Sequence, residues 1–159
     1  MKKTVFEAIR WLAVIAAVLL TVSGSRSAKT SSADAKDVFE AVCAAVDTNE
    51  MQPGDRLMIK RLYGLEADDY EGCYLLYPAT NMGAEEILVV KFAEGTDTAK
   101  LIEAVENRIE AQKTSFDGYG VEQYELLTNH AATELAGNFL LFVVSGNETE
   151  AVKAFRAAL

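Results

Sequence analysis

Two apolar runs constrain the fold most. Ala84 to Ala93 reads AEEILVVKFA, in which Ile-Leu-Val-Val has the character of a strand buried on at least one face. Phe139 to Ser145 reads FLLFVVS, more apolar still, and is the natural partner for the first run. Between them, Leu101, Val105, Ile109 and Phe116 recur at helical spacing, and such a stripe needs a sheet face to cover it. A chain of 159 residues with 50% hydrophobic content has enough material for one core.

The flanking segments extend this plan. Asp34 to Val46 reads as a helix with Val38, Val42 and Val46 four apart, beside Phe39 and Cys43, and with Ser31 or Ser32 as its cap. Pro53-Gly54 reads as a break, Asp55 as the cap of a short helix to Tyr63, and Gly64 as its left-handed end. Tyr70 to Tyr77 alternates as a strand, with Cys73, Leu75 and Tyr77 on one face and Tyr70, Tyr74 and Leu76 on the other. The short Pro78 to Gly83 connection makes its pairing with the next strand antiparallel.

Thr96 is the expected cap of the long helix, with Asp97 at its positive end and Thr114 near its last turn. After the Asp117 to Gly120 turn come a short helix from Val121 to Asn129, a weak strand from Ala131 to Leu135, and a hairpin at Ala136 to Asn138. Asn147 with Glu150 forms a capping-box pattern for a closing helix that buries Val152, Phe155 and Leu159. The expected fold is α+β: a single, mainly antiparallel four-stranded sheet packed with helices, in the order α-α-β-β-α-α-β-β-α, preceded by an N-terminal hydrophobic segment.

That segment has a targeting pattern. Met1-Lys2-Lys3 precedes a run of 12 uncharged residues, Trp11 to Val22, whereas a bilayer span takes about 20. It reads as a signal peptide or, if uncleaved, a signal-anchor. Lys2, Lys3 and Arg10 on its near side place the remainder outside the cytoplasm, membrane-anchored or secreted. The expected organisation is residues 1–25 as signal or anchor, 26–33 as polar linker and 34–159 as an extracytoplasmic α+β domain. Of the 15 basic and 24 acidic residues, 11 and 23 follow position 28, leaving that portion at −12, a charge that repels phosphate backbones and argues against nucleic-acid binding.

Leu62-Tyr63-Gly64, Asp69-Tyr70 before a strand, Asn81-Met82 followed by Glu85-Glu86-Ile87, Phe116 with Gly118-Tyr119-Gly120 and Gln123, and Gly137-Asn138 before an apolar strand form a connected set. In these the chain, from about Phe39 to Leu159, resembles an uncharacterised domain-of-unknown-function family of exported, membrane-anchored or lipoprotein-type proteins from Clostridia-like Gram-positive bacteria. The resemblance implies location and fold and carries no catalytic residues. This chain departs from the lipoprotein type, since no Cys follows its apolar run.

Reactive groups are sparse. His130 is the sole histidine, which excludes a His-rich metal site, and its position at a helix end suits a structural role. Cys73 or Cys43 with His130 has the ingredients of a nucleophile and base without a local signature. Export permits a Cys43 to Cys73 disulfide, while apolar settings favour two free buried thiols. Glu66, Asp68, Asp69 and Glu71 form an acidic turn without the ligand spacing of a calcium loop.

Glu85 and Glu86 are paired carboxylates at a strand entrance, without a companion constellation. The tyrosines suit a surface that binds. The sequence therefore points to a non-enzymatic envelope-associated binding domain, with no cofactor, an envelope protein or ligand as partner, and Asp69, Tyr70 and Tyr119 as its interaction surface. The alternative is a small extracytoplasmic hydrolase using Glu85 or Glu86, or Cys73 with His130.

Overall fold

The two most apolar runs lie side by side at the heart of the sheet. The computed structural model describes residues 30–159; the expected signal or anchor segment and the first part of the expected linker, up to residue 29, lie outside the described residues. In chain order the elements are α1 (Ala35–Ala44), β1 (Met51–Gly54), α2 (Arg56–Tyr63), a 3-10 turn (Ala67–Asp69), β2 (Gly72–Pro78), β3 (Glu86–Lys91), α3 (Thr98–Phe116), α4 (Val121–Asn129), β4 (Ala131–Ala136), β5 (Phe139–Val144) and α5 (Glu148–Ala158). Every strand pairing is antiparallel, in the order β1-β2-β3-β5-β4. Leu88 faces Leu75 on one side and Phe142 on the other.

Both faces of this sheet are covered. Leu75, Leu88, Val90, Leu140 and Phe142 pack beneath α2, α3 and α4, with Ile59, Leu101, Val105, Phe116 and Leu127 from those helices. Ile87, Val89, Leu141 and Val143 pack beneath α1 and α5, with Val38, Val42 and Phe155. An antiparallel sheet commonly leaves one face wet and then alternates apolar with polar. Covering both faces removes the alternation, which is why β3 and β5 read as unbroken apolar runs.

The expected α+β class, the antiparallel sheet, the β3–β5 pairing and the face assignment of Cys73, Leu75, Tyr77, Tyr74 and Leu76 match the structure, whereas Tyr70, expected with Tyr74, packs on the Cys73 side because it precedes β2 and its alternation. The strand count does not, since the sheet has five strands rather than four. The additional one, β1, contains the Pro53-Gly54 pair expected to be a break, and it runs from Met51 opposite Pro78 to Gly54 opposite Leu75. Proline is tolerated there because β1 is an edge strand, where a missing N–H costs no ladder bond on the open side. Gly54 is needed for contact, since a Cβ at that position would lie 2.5 Å from Leu75 Cδ2.

Three caps also differ from expectation. Asp34 caps α1 by accepting from Lys36 N at 2.8 Å, while Ser31 instead accepts from Ala33 N and donates to the Leu159 carbonyl. Asp97 caps α3 by accepting from Ala99 N at 3.1 Å, because the Thr96 hydroxyl is turned back onto the Ala93 carbonyl. Asn147 makes no side-chain cap, and its own N–H is met by Ser145 Oγ. Asp55 and Gly64 act as expected, Gly64 at φ +69°. Among the described residues, no helix is long and apolar enough to cross a membrane.

Candidate functional site

Glu86 opens β3 in the same pleat phase as Leu88 and Val90, so its side chain enters the core beneath α3. It is 0% exposed. Arg108 Nε donates to its two oxygens at 3.2 and 3.1 Å and Nη2 to Oε2 at 2.7 Å, a forked, charge-assisted arrangement. Gln112 Nε2 donates to Oε2 at 3.1 Å, and the Tyr63 hydroxyl donates to Oε1. Burial, and then the negative Glu86 beside it, hold the Tyr63 hydroxyl well above the usual phenol range. Both carboxylate oxygens are thus occupied by protein donors, which suits a structural lock better than proton transfer to a substrate.

The adjacent Glu85 belongs to a different environment. It is half-buried and accepts from Ala84 N at 3.1 Å, so the paired carboxylates of the sequence do not converge on one site. Cys73 and His130 are also kept apart. Cys73 lies on β2 opposite Val90, whereas His130 precedes Ala131 of β4, at the other end of the sheet. Strands β2 and β4 are separated by β3 and β5, about 14 Å at about 4.8 Å per strand.

His130 Nδ1 is 3.1 Å from Glu148 Oε2. Burial opposes the charge of Glu148, yet the His130 bond and a backbone N–H hold its carboxyl below the ordinary range. Cys43 and Cys73 are free thiols, on the α1/α5 and α2/α3/α4 faces respectively, so the sheet itself separates them. Burial, assisted at Cys43 by Glu40, pushes them up to about 11 and about 12, so neither is an activated nucleophile.

Two concave surfaces lie on the α2/α3/α4 side. The first, of 290 Å³, is lined by Tyr63, Leu65, Asp69, Tyr70, Lys100 and Glu103 among others. It contains two of the three residues expected to form an interaction surface. The second, of 380 Å³, is lined by Phe116, Asp117, Val121, Tyr124, Glu125 and Thr128 with their neighbours. Tyr119 stands beside it, 61% exposed, its ring 6.1 Å from that of Phe116. From Glu103 to Phe116 is about 20 Å along α3. Asp69 and Tyr70 line the first cleft, whereas Tyr119 stands beside the second. No group of three or more His, Cys, Asp and Glu suited to a metal ion occurs among the described residues.

These clefts and the Glu86 cluster all fall inside a recognisable unit. The family described as Domain of unknown function (DUF4358) matches residues 44–145. The chain belongs to this family. No curated protein and no solved structure matches it. The DUF4358 region takes in all five strands with α2, α3 and α4, so it includes the complete α2/α3/α4 face and leaves α5 and nearly all of α1 outside.

Arg108, Gln112 and Tyr63 were not anticipated as partners of Glu86. The signal was present: Arg108 and Gln112 fall on the Leu101, Val105, Phe116 stripe of α3, where polar groups must meet a buried partner. Val121 and Tyr124 are exposed and line the groove with Glu125 and Thr128, while Leu127 is the buried residue of α4.

Proposed function

We propose that this DUF4358 domain is a non-enzymatic interaction module at the outer side of a cell membrane, anchored or secreted, that docks an envelope protein on its α3–α4 face. One observation carries the docking reading: Tyr119, Val121 and Tyr124 are 61%, 67% and 38% exposed around a groove of 380 Å³. Tyrosine at such a site offers large rigid contact area with a polar tip, the residue type that dominates protein interfaces. The charged start and the 12-residue uncharged run of the leader support the location.

The competing hydrolase reading has less support. Glu86 is enclosed and fully bonded, Glu85 is turned onto the Ala84 N–H, and Cys73 lies far from His130.

The test is a photo-crosslinking amino acid placed at Tyr119 of the full chain in its native envelope, with the same probe at Leu57, which is 75% exposed on α2, as control. One saturable adduct from position 119 and none from 57 is the expected result. Equal, diffuse labelling from both positions removes the docking reading. Location is tested separately with a carboxyl-terminal reporter active only on one side of the membrane.

A further inference from the structure

The α3–α4 groove has an unusual charge setting. From Thr114 to Val152 the chain contains no Lys and no Arg, while Asp117 and Glu125 line this groove. The nearest preceding cation in sequence, Lys113, is 24% exposed and lies 4.0 Å from Glu110 on its own helix. The lining alternates these carboxylates with apolar and aromatic surface: Phe116 at the base, Val121 and Tyr124 on α4 at the spacing of one helix face. A surface helix normally turns such residues inward. Here the inward position is held by Leu127, and Val121 and Tyr124 remain outside.

We infer that this groove takes a basic, apolar-centred segment of a protein partner, its Lys or Arg heads against Asp117 and Glu125 and its apolar side chains against Phe116, Val121 and Tyr124. The inference rests on the docking reading above and adds the chemistry of the partner. Aromatic faces attract ammonium and guanidinium groups, and their alkyl stems cover apolar surface, so one side-chain type satisfies both halves of the lining. An acidic segment meets like charge, and an uncharged one desolvates carboxylates without pairing them. The −12 of the chain beyond residue 28 adds long-range attraction for the same partner.

The probe is a labelled amphipathic peptide of Lys and Leu at helical spacing, titrated into the full chain by fluorescence anisotropy, with the same peptide carrying Glu for Lys as comparison. Saturable, salt-weakened binding of the Lys peptide alone is expected. Asp117→Asn with Glu125→Gln should weaken it by about tenfold or more. Tyr124→Ala should also weaken it with every charge intact. Glu40→Gln with Glu94→Gln, equal in charge change and placed on α1 and on the β3–α3 connection, should change it by less than about twofold. Far-ultraviolet spectra and melting curves verify that each variant is folded.

Equal weakening by the two double variants reduces the effect to net charge and overturns the inference. So does equal binding of the Glu peptide, or no binding of the Lys peptide. A saturable Tyr119 adduct with a partner that lacks a basic segment would leave the docking reading standing and remove this one. Absence of any adduct removes the docking reading itself.

Discussion

Glu86 is the side chain on which most of the α2/α3/α4 interior depends. Its carboxylate is the shared acceptor for Arg108, Gln112 and Tyr63, three groups from two helices. Removing one partner of such a buried pair leaves the others desolvated without compensation, so Glu86→Ala should lower unfolding stability by about 3–5 kcal/mol. Replacing both charges, as Glu86→Leu with Arg108→Met, should recover only part of that loss, because the Tyr63 hydroxyl and the Gln112 amide stay buried without their acceptor. Urea unfolding of the three proteins checks this, and a Glu86→Ala midpoint equal to the parent's would deny the cluster a structural role. Cys73 gives a second prediction. Its folded pKa of about 12 lies above the ordinary thiol value of 9.0, so the folded state retains a proton that the unfolded chain releases. The thiol's contribution is therefore complete below pH 9, declines as pH rises, and is gone above about 12. Cys73→Val should flatten that alkaline decline, measured as unfolding midpoint against pH.

At the scale of elements, the decisive contact is where α1 crosses β2. Gly72 opens β2 directly beneath Ala35, and a Cβ added at Gly72 would overlap that of Ala35, which has no flexible end to move. Gly72→Ala should cost about 1–3 kcal/mol by pushing α1 off the sheet. Ala35→Gly in the same chain should return part of it by vacating the space, and a thermal-denaturation double-mutant cycle measures the coupling. Elements with a strong local signal were legible in the sequence: β3, β5, α3 and the Asp55-to-Gly64 helix all come from runs or caps contained in a few consecutive residues. The edge strand β1 was not, because its four residues become a strand only by pairing with Leu75 to Pro78, more than 20 positions away. The helix caps failed for a smaller reason. Where two candidates stand side by side, as with Thr96 and Asp97, backbone direction chooses between them, and that direction is set by the preceding turn.

For the molecule as a whole, the two-sided covering of the sheet has an energetic consequence. The α1/α5 face lies mostly outside the matched DUF4358 region, yet Phe155 of α5 is fully buried there against Phe139, ring centroids 6.4 Å apart. Phe155→Ala should therefore cost about 3–5 kcal/mol, as a core residue does, and a loss below about 1 kcal/mol would show that face to be an accessory layer. Urea unfolding monitored through tyrosine fluorescence provides the number. The sequence by itself determined the class of fold, the pairing of its two central strands, and the shortage of reactive groups, because each depends on composition or on periodicity within a short window. Only the tertiary structure decided that Glu86 is locked inside by residues over 20 positions away, and that Asp69 and Tyr70 line one cleft while Tyr119 stands beside another. It likewise decided that Val121 and Tyr124 face outward beside acids. A short amphipathic pattern defines a helix but not its rotation about its own axis, which the packing of Leu127 and Phe116 against the rest of the body fixes.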